Sequence, residues 1–238
     1  MRRVIKKIIR KHEDFKKRIS NVYYLSIGEN CLTDNILDRH KIKSFSTPYS
    51  HGRSNLDYAI ALEEDNYKNL LNPDSLKYEY AEEMEVVRNK RYLSSDDIYN
   101  KLHQNGFEFT HHDVIKDNSQ KESYERKILR MQSLDNQKKI KFLYHYRNNE
   151  NKDFKLIIKK AGIFLSYYKR RNIKCEFVFF TQDIVLKKED RSLIKITEGN
   201  DIKGFVFKTM EVWEGDDPEV LWARKDEDLI RKMIKKIK

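Results

Sequence analysis

The sequence predicts an α/β fold: a mainly parallel, three-layer, Rossmann-like sheet with helices on both faces, formed as one domain over residues 20–238 and preceded by a basic amphipathic helix over residues 1–19. Three observations carry this. Apolar strand-like runs at 22–28, 139–146 and 175–180 alternate with segments of helical periodicity. The run Phe177-Val178-Phe179-Phe180 is apolar on consecutive positions, as in strands buried on both faces. At 238 residues with seven Gly and three Pro, the chain is long enough to bury a core without staples. Ligand sites in such sheets lie beyond the carboxyl ends of the strands.

In chain order, strand 22–28 passes through Gly28-Glu29-Asn30 into a helix over 32–40, and 43–47 follows as a short strand. After the Pro48-Tyr49-Ser50-His51-Gly52-Arg53 loop, Ser54 is placed to cap a helix carrying Leu56, Ile60 and Leu62, with a further turn or two over 66–71. Near-alternating Tyr78, Tyr80, Met84, Val86 and Tyr92 predict short strands within 77–92. A short helix opens at Ser94-Ser95-Asp96-Asp97 and stops near Asn105-Gly106, and 107–110 is strand-like. Helices over 120–134 and 153–171, strands over 193–197 and 203–209, and a helix from about Asp226 complete the pattern.

The net charge of +11 belongs to the chain ends. Residues 1–19 hold nine Lys/Arg against Glu13 and Asp14, residues 231–238 hold five Lys/Arg and no acid, and the body between is nearly neutral. Nucleic acid is therefore an unsuitable partner: a basic body face interleaved with aromatics is missing. Val4, Ile5, Ile8 and Ile9 opposite Arg2, Arg3, Lys6, Lys7, Arg10 and Lys11 suit either an anionic membrane surface or packing on the domain with a solvated charged face. Without a signal peptide or an apolar run of spanning length, the expected location is cytoplasmic, with peripheral contact at the inner membrane face through residues 1–19.

Two cysteines form no disulfide framework and no zinc pattern. Cys175 lies within an apolar strand and reads as packing. Cys31 falls at the mouth of a helix, where unpaired N–H groups and the helix dipole favour thiolate over thiol. A cysteine nucleophile needs a base and a group to orient it. His112 followed by Asp113 supplies those types, although neighbours on an extended segment point to opposite sides; His51 is a second base candidate. Asn30 and the amides around Cys31 are candidate oxyanion donors. Arg147 at a strand end, and Arg126 and Arg130 one turn apart, could grip a phosphate or carboxylate. Metal binding competes for Cys31, His111, His112 and Asp113, but the paired ligand spacing of a zinc site is absent. Trp213 and Trp222 flank the acidic 214–217 loop and read as core edge.

The segment Leu25-Ser26-Ile27-Gly28-Glu29-Asn30-Cys31, then Ile42-Lys43-Ser44-Phe45-Ser46, then His112-Asp113, resembles a bacterial family of papain-like cysteine peptidases of unassigned function. The resemblance covers about residues 20–150. It implies Cys31 as nucleophile with His112 and Asp113 as base and orienter. The candidate substrate-binding residues are His51, Arg147, Gly28, Ser46 and Arg130. Where the family carries a Phe-Asp-Trp-like block, this chain has Pro48-Tyr49-Ser50-His51. The Gly-x-Asn-Cys turn is also similar to that of capsular polysaccharide acetyltransferases.

The expected function is acyl chemistry at Cys31 on an amide or ester of a small molecule or glycan, by hydrolysis or by transfer to a sugar hydroxyl in cell-surface polysaccharide biosynthesis. The hydrolase reading needs no cofactor. Coenzyme A, acetyl-coenzyme A or a nucleotide is what a glycan-modifying transferase without covalent catalysis would use. A non-catalytic membrane-surface adaptor working through the basic ends is the alternative from another class.

Overall fold

The computed structural model describes residues 20–81, 84–93, 96–147 and 150–238; the helix expected over 1–19 lies outside them. Eight strands occur among these residues: β1 Val22–Gly28, β2 Leu76–Ala81, β3 Met84–Asn89, β4 Phe107–Glu108, β5 Lys139–His145, β6 Cys175–Ile184, β7 Ser192–Glu198 and β8 Ile202–Thr209. The helices are α1 Leu32–Arg39, α2 Leu56–Glu64, α3 Asn118–Gln132, α4 Phe154–Arg170, α5 Pro218–Leu221 and α6 Glu227–Ile237. The fold is mixed α/β. Its main sheet has the order β1-β5-β6-β8-β7, parallel except for β7, and a small antiparallel sheet has the order β2-β3-β4.

Alternation along the central strands sends side chains to two apolar clusters. Leu25, Ile27, Phe142, Tyr144, Phe177 and Phe179 pack with residues of α2, α3 and α4. Leu143, Val178, Phe180, Phe205 and Phe207 pack with α1 and α6. Each such side chain taken fully from water contributes about 1.5–3 kcal/mol. The parallel strands follow one another in a single direction, so the sheet lacks the strand-order reversal at which a doubly wound Rossmann sheet forms its ligand crevice. β1 is an edge strand.

Several expected elements change. Residues 43–47 are not a strand, yet they cover the open edge of β1: Ser44 N–H donates to the Tyr24 carbonyl, Tyr24 N–H to Ser44 Oγ, and Thr47 Oγ1 to the Ser26 carbonyl. The cap of α2 is Asn55, whose side chain accepts from Tyr58 N–H, rather than Ser54. Of the helix expected over 94–106, the described residues form only a 3-10 turn at Lys101–His103, capped by Asn100. The hairpin within 77–92, the long helices and the C-terminal strand pair fall within a few residues of their expected bounds.

Candidate active site

The site is assembled at the carboxyl end of β1. A Cβ at Gly28 would lie 2.6 Å from Thr33 Oγ1 and 2.7 Å from the Asn30 carbonyl, so glycine permits the tight passage into α1. Asn30 Oδ1 accepts from Leu32 N–H at 3.2 Å, satisfying one of the orphan amides at the helix start. Cys31 takes the N-cap position, its carbonyl accepting from Asn35 N–H, and its own side chain forms no capping bond.

Polar contacts bring the next segment beside this turn. Thr47 and Ser50 form a capping box around the 3-10 turn Pro48–His51, with Pro48 at its start. Thr47 is tied to β1 through the Ser26 carbonyl, and Ser50 Oγ lies 3.0 Å from Ser26 Oγ. Ser26 Oγ in turn donates to Asp34 Oδ1 at 2.9 Å, while Lys43 Nζ donates to Asp34 Oδ2 at 2.6 Å. These bonds hold His51 at the mouth of β1. Arg53 and Glu108 then pair backbone to backbone at 3.0 Å in both directions, with Gly52 pressed against the Glu108 carbonyl where a Cβ would not fit. That bridge delivers the segment ending at His112, whose ring sits 5.9 Å from that of His51 and edge-on to Tyr124 at 5.3 Å.

Lys127 completes this group from α3. It is 4 % exposed, its Nζ stands 4.0 Å over the Tyr124 ring, and that nitrogen has no hydrogen-bond partner. Its positive charge acts on Cys31, His51 and His112 alike, so those three residues share one electrostatic neighbourhood. Burial lowers the Lys127 amine to about 8, against the attraction of Asp34.

Burial, helped by Asp34, pushes the Cys31 thiol from its ordinary 9.0 up to about 11, while Arg53, Lys127 and Lys43 pull it back. This corrects the expectation of an acidified thiol. A helix dipole is worth about 0.3–1 kcal/mol near the surface, whereas a rise from 9.0 to about 11 corresponds to roughly 2.7 kcal/mol of desolvation and Asp34 repulsion net of the cations. Desolvation wins, and Cys31 rests as a thiol. Burial also lowers both imidazoles, His112 to about 4, so they are neutral at pH 7. No hydrogen bond joins Cys31 Sγ to a ring nitrogen among the described residues. His112 Nδ1 is buried without a partner.

Other sequence candidates have different surroundings. Asp113 does not orient His112: its carboxylate accepts from Tyr78 Oη at 2.9 and 3.0 Å and from the N–H groups of Ile115 and Lys116, making it the cap of a turn. His111 and Arg130 are exposed, and Ser46 lies on the segment covering β1 without a side-chain hydrogen bond among the described residues. Cys175 is buried with Sγ 3.8 Å from the Leu165 carbonyl, and Trp213 is core, its Nε1 donating to Asp226.

Arg147 belongs to a neighbouring polar cluster. Gly28 pairs in register with His145, so Glu29 and Asn30 come beside the residues that follow β5. Arg147 Nη1 lies 3.1 Å from His103 Nε2 and its Nη2 3.3 Å from Glu214 Oε2. Glu29 is fully buried, accepts from Tyr144 Oη, and is raised by burial to about 8. His145 Nδ1 approaches Asn30 Oδ1 at 3.4 Å, and its ring stacks on Phe180. Asn30 therefore links the two halves, with Nδ2 making no hydrogen bond among the described residues. No group of three or more His, Cys, Asp or Glu suited to a metal ion occurs among the described residues, and no described helix is long and apolar enough to cross a membrane.

Sequence reasoning missed Lys127, Tyr124, Asp34 and Lys43 as parts of the site. The signal for Lys127 was its spacing: Tyr124, Lys127 and Met131 share one helical face and are the buried residues of α3, while Leu129 is exposed.

No curated protein and no solved structure matches the chain. A family model described as "Putative papain-like cysteine peptidase (DUF1796)" does match it, over residues 22–182, which spans about two-thirds of the chain and includes Cys31, His51, His112 and Lys127. By that match, the chain belongs to the family so described, DUF1796.

Proposed function

We propose that the protein is a cysteine hydrolase, or a transferase of the same covalent type, with Cys31 as its nucleophile and an amide or ester of a small molecule or glycan as substrate. The observation carrying this reading is the placement of Cys31 at the start of α1, in the same charged neighbourhood as two neutral imidazoles and a buried amine. Membership of a cysteine-peptidase family supports hydrolysis.

The step follows from the protonation states. Cys31 rests as a thiol, so its proton leaves as the sulfur attacks: the S–H bond breaks, the proton passes to a ring nitrogen of His112, and a C–S bond forms. The carbonyl electron pair moves to oxygen, where Asn30 Nδ2 and the amides at the start of α1 are donors. The oxyanion then collapses to the carbonyl, the scissile C–N or C–O bond breaks, and the imidazolium gives its proton to the leaving amine or alkoxide. Water, or a sugar hydroxyl in a transferase, then resolves the thioester. His51, 5.9 Å from His112 ring to ring, is the second base candidate. Asp113 is outside the step, because its oxygens are spent on Tyr78 and a turn.

Hydrolysis of 4-nitrophenyl acetate by the wild type, Cys31→Ala and Cys175→Ala proteins tests the reading. Turnover lost in Cys31→Ala and kept in Cys175→Ala, with a thioester adduct on the Cys31 peptide by mass spectrometry, supports it. Undiminished turnover in Cys31→Ala removes the nucleophile.

A further inference from the structure

We propose that Lys127 is the anchor of an anion subsite beside Cys31, so that the substrate carries a carboxylate or phosphate near its scissile bond; this rests on Cys31 being the nucleophile. A buried ammonium without a hydrogen-bonded partner is costly, and native proteins pair such groups. Lys127 is 4 % exposed and Nζ has none. The acid whose charge attracts it, Asp34, is already engaged, one oxygen accepting from Ser26 and the other from Lys43. Tyr124 offers only its ring face, and its hydroxyl is buried without a partner as well.

The missing acceptor belongs on the side of the imidazoles: Tyr124, whose ring carries Nζ at 4.0 Å, also meets the His112 ring edge-on at 5.3 Å, and His112 lies 5.9 Å from His51 ring to ring. Lys127, Lys43 and Arg53 all act on the thiol as positive charges, with Asp34 the only opposing carboxylate among its named influences. Nζ makes no hydrogen bond to Sγ, while its charge pulls the thiol down against burial. An anionic atom of a bound substrate accepting from Nζ satisfies the ammonium and holds the neighbouring carbonyl at the thiol. A charge-assisted hydrogen bond of this kind carries specificity for the charged over the neutral acyl group.

The kinetic arm compares 4-nitrophenyl acetate with mono-4-nitrophenyl succinate, whose free carboxylate follows the acyl carbonyl, in the wild type and in Lys127→Met, which keeps the buried stem and removes the charge. The expected result is a loss in kcat/KM for the succinate ester that exceeds the loss for the acetate ester by roughly tenfold to a hundredfold, the acetate change reporting the altered charge at Cys31 alone. Equal losses on both esters overturn the proposal, since the amine would then serve the oxyanion or the thiolate. The binding arm uses Cys31→Ala without turnover. Inorganic phosphate or succinate raises its melting temperature relative to sodium chloride of equal ionic strength, and Cys31→Ala with Lys127→Met shows no rise. Absence of a rise in Cys31→Ala, or persistence of the rise in the double variant, overturns it. Turnover retained in Cys31→Ala instead strikes the nucleophile alone, leaving the phosphate response to decide whether the subsite exists.

Discussion

The pH at which Cys31 becomes reactive separates two physical effects that oppose each other at this position. The perturbation is pH itself, applied to a Cys175→Ala protein so that only one thiol remains. Burial and Asp34 place the Cys31 thiol at about 11, against an ordinary 9.0. At pH 7.5 the thiolate fraction is then on the order of 3 in 10,000, compared with about 3 in 100 for the unperturbed thiol, a deficit of roughly 100-fold. Iodoacetamide alkylation, followed by mass spectrometry from pH 7 to 11, should show a rate still rising at the top of the range. Asp34→Asn removes the nearby negative charge and should move the profile to lower pH. Lys127→Met removes a positive one and should move it to higher pH. A midpoint at or below about 8.5 in the free protein would refute the argument that desolvation outweighs the helix dipole here.

Three further outcomes follow from the packing. Gly28→Ala puts a methyl against Thr33 Oγ1 and the Asn30 carbonyl, and should cost about 1–3 kcal/mol in urea unfolding; a change under 0.5 kcal/mol would mean the turn relaxes freely. Glu29 is raised to about 8 in the folded chain, so the native state holds its proton while the unfolded carboxyl loses it above about 4.5; stability from this group declines as pH rises from about 4.5 to 8. Glu29→Gln should therefore flatten that decline and be the more stable protein at pH 9, and a steeper decline in the variant contradicts the assignment. Arg88 Nη2 bonds Glu108 Oε2 at 2.6 Å with both side chains buried, so Arg88→Met should cost about 3–5 kcal/mol by stranding the carboxylate, and unchanged thermal stability would show that Arg53, 3.6 Å from the same carboxylate, fully replaces it.

The elements with strong local signals were legible in the chain. Apolar β1, β5 and β6 and the amphipathic α3 and α4 reveal themselves by periodicity, because burying one face or both demands it. The Gly28-to-Cys31 turn was equally plain, since a close approach at Gly28 and an Asn30 side chain on Leu32 N–H are local needs. Less local features escaped. Residues 43–47 look like a strand but act as a cover on β1, and the caps Asn55 and Asn100 depend on how the loops before them run.

For the candidate site, the sequence by itself determined the nucleophile candidate, the imidazoles and the turn that presents Cys31 at a helix start. Only the tertiary structure decided what those groups meet. It seated His51 by bonds from Ser26 to Ser50 and Thr47, and set His112 beside it through the Arg53–Glu108 bridge. It gave Asp113 to Tyr78 and took Arg147 to His103 and Glu214. It also buried a lysine that sequence alone would assign to solvent. The physical reason is that proton affinity and charge pairing depend on burial and on neighbours far apart in the chain, which no local spacing encodes.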